Sequence, residues 1–114
     1  MPFKKFRTID IGSIAAGATA ERSWEFDEDL VLRRIFFVEK AGSSMNAVEA
    51  TIRLDGVMLT DEYVPVVLLS HLNQLNPEIN KPVEKGSKIV LGIKNNEAGS
   101  RNIYAVLELW SGGE

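Results

Sequence analysis

Cysteine is absent from this chain of 114 residues. Its absence excludes disulfide frameworks, cysteine-ligated zinc, iron–sulfur clusters and thiol nucleophiles. Histidine occurs once, as His71, so a histidine-rich metal site is excluded as well. A Ser–His–acid triad would have to use His71, but its neighbour Ser70 would point the other way on an extended chain. We therefore expect His71 to be an ordinary loop histidine.

Long hydrophobic runs and an excess of positive charge are also lacking. The longest apolar runs, Ile35–Val38 and Val64–Leu69, are far shorter than the ~20 residues that span a bilayer. The basic segment Met1–Arg7 is not followed by the apolar stretch of a signal peptide. The net charge is −3, and the 13 lysines and arginines are spread along the chain. We therefore expect neither a nucleic acid nor a membrane as partner.

The feature that is present is an apolar residue at every second position, which is typical of β-strands because alternate side chains share one face. It is clearest in Ser87–Lys94 and Arg101–Trp110, which are joined by a turn-rich segment, and it recurs in Ala47–Leu54. Asp55-Gly56 follows directly and predicts a tight type I′ hairpin with Gly56 at positive φ. These three runs predict one core: Val48, Ala50, Ile52, Leu54, Ile89, Leu91, Ile93, Ile103, Ala105, Leu107 and Leu109.

The rest of the chain continues the β pattern. Further strands are predicted at Phe3–Ile11, Ala20–Phe26, Leu30–Glu39, Val57–Thr60 and Tyr63–Leu69. Pro65 places the last of these at a sheet edge or a bulge. We expect connections at Gly12–Thr19 and Lys40–Asn46, and a long irregular segment at Ser70–Gly86 with one helical turn in Ser70–Leu75. The chain therefore predicts a single all-β domain over residues 1–114, an antiparallel, jelly-roll-like β-sandwich of about eight strands.

No set of residues in this chain has the pattern of a catalytic or metal site. The acidic turns Asp27-Glu28-Asp29 and Asp61-Glu62 lack the spacing of a calcium loop, so we expect solvated turn residues there. The 16 acidic residues form pairs by chance, and nothing marks one pair as catalytic. Gly86-Ser87-Lys88 lacks the upstream glycine of a phosphate loop. We expect no catalytic, cofactor-binding or metal-binding residues, and no enzyme activity.

Two strands are apolar on both faces. Alternation in Leu30–Glu39 assigns Val31, Ile35 and Phe37 to one face, and Leu30, Leu32, Phe36 and Val38 to the other. In a two-layer sandwich the outer face normally meets water and is polar, so Leu30–Glu39 and Arg101–Trp110 indicate a covered outer surface. Either Ser70–Gly86 folds over this surface or a second subunit covers it. We predict a homo-oligomer with interface residues Phe36, Val38, Tyr104, Val106 and Trp110.

Three stretches carry a resemblance to known modules. They are Thr8–Gly17, the hairpin Leu54-Asp55-Gly56, and Lys85–Asn95 followed by Tyr104–Leu109. Their order and spacing resemble the small single jelly-roll modules of viral capsid accessory and spike proteins, and also carbohydrate-binding modules of the β-sandwich type. The first resemblance implies a structural subunit located in a virion, or in the cytoplasm if the protein is not viral, with other structural proteins as partners. The second implies a glycan partner, for which Trp24, Trp110 and the two tyrosines would supply stacking platforms.

Overall fold

The computed structural model describes residues 4–60, 62–69 and 76–111. Within these ranges the chain forms nine β-strands and one short 3₁₀ helix, Val66–Leu69. The strands are β1 (Lys4–Ile14), β2 (Thr19–Glu25), β3 (Leu30–Glu39), β4 (Val48–Leu54), β5 (Val57–Met58), β6 (Val64–Pro65), β7 (Lys81–Val83), β8 (Lys88–Asn95) and β9 (Arg101–Trp110). No helix in the described ranges is long and apolar enough to cross a membrane.

The strands form two antiparallel sheets that pack face to face. The four-stranded sheet has the order β1-β9-β3-β7, and the five-stranded sheet has the order β2-β8-β4-β5, with β6 also paired to β4. The chain resembles one long hairpin, because β1 pairs with β9, β2 with β8, β3 with β7, and β4 with β5 and β6. This hairpin is rolled up so that β9 also meets β3 and β8 also meets β4. The predicted jelly-roll-like β-sandwich is thus confirmed.

The core lies between the sheets, where the inward rows of the long strands meet. All eleven side chains predicted for the core are buried there. Fully burying a leucine or isoleucine side chain is worth about 1.5–3 kcal/mol, so these rows supply much of the stability of the fold. Phe26 and Phe37 are the largest fully buried side chains and complete the same core.

The hairpin between β4 and β5 has the predicted geometry. Asp55 has φ 50° and Gly56 has φ 82°, and the turn directly connects the paired residues Leu54 and Val57. Two central residues at positive φ define a type I′ turn, whose twist matches that of the flanking strands. Pro65, as predicted, lies in an edge strand, where its missing N–H costs no ladder hydrogen bond.

Several strand boundaries differ from the prediction. β1 continues past Gly12 to Ile14, because a bulge at Ile11 and the positive φ of Gly12 let the strand bend and stay paired with β9. The predicted strand Tyr63–Leu69 is wrong beyond Pro65, where the chain turns into the 3₁₀ helix. The short strand β7 lies inside the segment that was predicted to be irregular.

A bulge in β3 corrects the predicted division of its two faces. The register to β9 shifts between Leu32 and Arg34, so Arg33 is the extra residue. Alternation restarts after the bulge, which puts neighbouring Arg33 and Arg34 on the same side. The inward row is therefore Leu30, Leu32, Ile35, Phe37 and Glu39, and the outward row is Val31, Arg33, Arg34, Phe36 and Val38. The predicted grouping of Val31 with Ile35 and of Leu32 with Phe36 is wrong for this reason.

Candidate functional site

The outward side of the four-stranded sheet brings together all five residues predicted for an interface. Register places Thr8, Val106 and Phe36 in one cross-strand row, and Asp10, Tyr104 and Val38 in the next. Trp110 pairs with Val31 further along β9. Each of the five predicted residues is half-buried within the subunit. We call this surface the outer apolar face and define it by Phe36, Val38, Tyr104, Val106 and Trp110.

Phe6 extends the outer apolar face onto β1. It pairs with Glu108 in the register of β1 and β9, and 58% of its surface is exposed. An exposed phenylalanine beside a half-buried apolar surface is unusual for a face that meets only water.

The outward side of the five-stranded sheet has a different composition. Over its three long strands β2, β8 and β4, Val90 is the one large apolar side chain among the described residues. The other outward residues between Glu21 and Lys94 are small, polar or charged: Glu21, Ser23, Glu25, Glu49, Thr51, Arg53, Lys88, Gly92 and Lys94. This side therefore has the composition expected of a water-exposed sheet face.

A network of charged residues borders the outer apolar face at the bulge in β3. Glu78 accepts hydrogen bonds from Arg34, at 2.7 Å, and from Arg33, at 3.4 Å. Arg34 also lies 3.6 Å from the carboxylate of Glu108, which is nearly buried and accepts a hydrogen bond from the Trp110 indole at 2.8 Å. The hydrogen bond from Asn80 and the charge of Arg34 lower the pKa of Glu78.

A second ion pair borders the other end of the face. The Lys40 ammonium lies 2.8 Å from a carboxylate oxygen of Asp10 and 5.6 Å from the centre of the Tyr104 ring. The hydrogen bond from Lys40 lowers the pKa of Asp10. The apolar centre of the face is thus flanked by charge pairs, an arrangement that resembles the apolar core and polar rim of protein interfaces.

Glu39 holds the loop that follows β3. Its carboxylate accepts backbone hydrogen bonds from Ala41 at 2.8 Å, Ser43 at 2.9 Å and Asn102 at 2.9 Å. The hydrogen bond from Asn102, supported by that from Ser43, lowers the pKa of Glu39. This buried carboxylate replaces the backbone pairing that the loop lacks, so its role is structural.

A cation lies over the ring of every tryptophan and tyrosine in the chain. Arg7 lies 5.0 Å from the ring centre of Trp24, and Arg33 lies 5.0 Å from that of Trp110. Lys40 lies over Tyr104, and Lys94 lies 5.9 Å from the ring centre of Tyr63. Such contacts are attractive because the ring face carries partial negative charge. A sugar ring that stacked on one of these cation-bearing faces would have to displace the cation.

The acidic turn after β2 binds parts of the chain itself. Glu28 pairs with Lys5, Asp27 lies 3.9 Å from Arg7, and Asp29 accepts the backbone N–H of Lys85 at 2.9 Å. Across the described ranges, no three histidine or acidic side chains come together in a group that could hold a metal ion. Asp61 lies outside the described residues, and so do Ser70 and His71 with the helical turn predicted at Ser70–Leu75.

Sequence reasoning missed a group of exposed apolar side chains outside the outer apolar face. Six large apolar side chains are exposed among the described residues, and five of them fall in the stretch from β5 to the end of the 3₁₀ helix: Val57, Met58, Tyr63, Val67 and Leu68. For Tyr63, Val67 and Leu68, the prediction of one continuous strand over Tyr63–Leu69 concealed the exposure, because an alternating strand would have buried about half of its residues. The early proline and the non-alternating run Val66–Leu69 are the features that could have revealed the break.

Comparison with protein-family models finds no match for this chain, and comparison with curated protein sequences finds none either.

Proposed function

We propose that this protein is a non-catalytic structural subunit of a symmetric protein assembly, such as a virion capsid, spike or decoration component. The observation that carries the proposal is the contrast between the two outward sheet faces. The outer apolar face exposes parts of five apolar or aromatic side chains, whereas the outward residues of β2, β8 and β4 in the opposite sheet are mainly polar or charged. A second copy of the chain would cover the apolar surface and remove it from water.

The chemistry of the face supports a contact between identical copies. Aromatic residues are enriched at the centres of protein interfaces, and the rim of such interfaces is polar. Tyr104 and Trp110 provide aromatic area, and the ion pairs of Asp10 with Lys40 and of Arg34 with Glu78 border it. In a two-fold contact the same patch is used by both copies, so the assembly closes and does not extend into fibres.

The alternative is a carbohydrate-binding module, and it stays a second prediction. Jelly-roll sandwiches occur both in viral capsid domains and in lectins, so the fold does not choose between the two functions. The cations over Trp24, Trp110, Tyr63 and Tyr104 weigh against stacking platforms at these rings.

Sedimentation velocity on a matched pair of tyrosine variants tests the proposal. Tyr104→Glu places a charge on the outer apolar face, whereas Tyr63→Glu changes a cation-bound tyrosine outside it. We expect Tyr104→Glu to sediment as a folded monomer and Tyr63→Glu to keep the mass of the unmodified protein. A monomeric unmodified protein would contradict the proposal, and glycan-array binding by that monomer would favour the alternative.

A further inference from the structure

A cleft opens at the edge of the sandwich where the five-stranded sheet faces residues 77–81. Its volume is about 420 Å³, within the ~300–1,000 Å³ range of typical small-molecule sites. The lining is mainly aliphatic and includes Ile52, Leu59, Val64, Leu68, Leu69 and Ile79. It shares no residue with the outer apolar face.

The floor of the cleft belongs to the hydrophobic core. Ile52 and Leu69 are buried, while Leu59, Val64 and Ile79 are partly buried and pack against the core. The sheet edge here consists of the two-residue strands β5 and β6, and Val64 of β6 lines the cleft. The cleft therefore presents partly buried aliphatic side chains that pack against the core.

One cation lies in this aliphatic lining. In the pairing of β7 with β3, Val83 lies opposite Leu30 and Lys81 lies opposite Leu32. Leu30, Leu32 and Val83 are buried, so the alternation of β7 puts Lys81 on the same inward side. Lys81 lines the cleft, and it forms no ion pair with an acidic side chain anywhere in the described ranges.

Glu78 also lines the cleft, but its carboxylate does not neutralise the charge of the Lys81 ammonium. Glu78 is held by Arg33 and Arg34, and it accepts a hydrogen bond from Asn80 at 3.0 Å. The Thr60 hydroxyl oxygen accepts the Ile52 backbone N–H at 3.3 Å. An aliphatic cleft with an ammonium that no described acidic side chain neutralises is complementary to a ligand with an aliphatic chain and a single anionic head.

We propose that this cleft binds an aliphatic monocarboxylate, a single-chain amphiphile taken up from solution as a free molecule. The chain lies against Leu59, Val64 and Ile79, and the carboxylate pairs with the Lys81 ammonium. This site is independent of the assembly proposed above, because the two surfaces have no residue in common.

Nuclear magnetic resonance with sodium decanoate as the probe, kept below its micelle concentration, tests the site. We expect saturable shifts at the methyl groups of Ile52, Leu59 and Ile79, with little change at Val106. Octanoate should bind roughly tenfold more weakly, because a buried methylene contributes a factor of up to about four in affinity. Shifts that spread over the surface without saturation would overturn the proposal.

Two lysine variants distinguish a specific contact between Lys81 and the carboxylate from nonspecific hydrophobic binding of decanoate. Lys81→Gln should weaken decanoate binding roughly twofold to fivefold, the range of an exposed ion pair. Lys85→Gln is the matched control, because Lys85 lies in the turn after β7 and outside the cleft, and its affinity should be unchanged. Equal affinity for decanoate and decylammonium, or no effect of Lys81→Gln, would overturn the assignment of the anionic head.

A vesicle control distinguishes a free amphiphile from a lipid surface. We expect no sedimentation of the protein with phosphatidylglycerol vesicles at concentrations where decanoate saturates the cleft. Sedimentation with vesicles in the absence of decanoate binding would overturn the proposal. None of these results depends on the mass of the assembly. The proposal of ligand binding in the cleft can therefore be rejected independently of the proposed structural function.

Discussion

The two sheets have the same antiparallel architecture but opposite outward chemistry. Val106 on β9 and Val90 on β8 are both half-buried valines at the middle of an outward row. Val106 lies between Thr8 and Phe36, and Val90 lies between Ser23 and Arg53. A charged neighbour keeps the surroundings of Val90 hydrated, whereas an aromatic neighbour adds to the apolar surface at Val106.

This difference separates the residues that specify the fold from apolar residues that the fold does not require. An inward apolar row on each strand is sufficient to form a two-layer sandwich, and both sheets have one. The outward apolar row of β9 and β3 adds no core packing between the sheets. Such a row exposes the free subunit to aggregation, so a contact that covers it is its simplest explanation.

The largest expected effect tests the inward row against the outward row on β9. Leu107 is fully buried opposite Ile35, so Leu107→Ala should lower the free energy of unfolding by about 2–5 kcal/mol. Val106→Ala, one residue away, should cost far less in a protein kept monomeric by dilution. Denaturant titration measures both values, and equal costs would reject the assignment of the two rows.

A smaller effect is expected on the outward side of the five-stranded sheet. A Cβ atom at Gly92 would lie 2.6 Å from the Thr51 hydroxyl oxygen, so the glycine leaves room for the Thr51 side chain on the neighbouring strand. Gly92→Ala should therefore destabilise the fold by about 1–3 kcal/mol through overpacking. Thermal unfolding measures the loss. The mass of the assembly should not change, and a lighter particle would mean that this charged face also makes contacts.

The smallest stability effect concerns Glu39, at the end of the inward row of β3. The pKa of Glu39 is lowered by its backbone hydrogen bonds, so its stabilising contribution is complete above the ordinary value of 4.5. The contribution is lost as the pH falls through the lowered value in the folded state. Glu39→Gln should lower the melting temperature at pH 7, and the difference from the unmodified protein should shrink as the pH falls below 4.5. A difference that stayed constant with pH would contradict this role.

The long strands could be predicted from sequence because the pattern that defines them lies within each strand. Alternation over seven to ten residues in β4, β8 and β9 determines which side chains face inward, and Asp55-Gly56 determines the tight turn. Tyr104, Val106 and Trp110 share a face for the same reason, since the predicted parity of β9 holds throughout the strand. Phe36 and Val38 lie on that face because alternation restarts after the bulge in β3.

Features that depend on contacts between distant segments could not be predicted. The bulge at Arg33 is stabilised from outside β3, because its carbonyl oxygen accepts the N–H of Ile79 and its side chain reaches Glu78. β7 forms only because Leu30–Leu32 offers a free edge to residues far along the chain. The aliphatic cleft arises from the same long-range arrangement. The local sequence around Lys81 therefore does not predict that this residue lines the cleft.

The most direct test of the central claim is the mass in solution of two valine variants measured by light scattering. Val106→Glu places a carboxylate at the centre of the outer apolar face, and Val90→Glu places one at the matching position of the opposite sheet. We expect the unmodified protein and Val90→Glu to share one multimeric mass, and Val106→Glu to be a monomer with the circular dichroism of the folded chain. A monomeric unmodified protein at high concentration, or a folded Val106→Glu that keeps the full mass, would contradict the account.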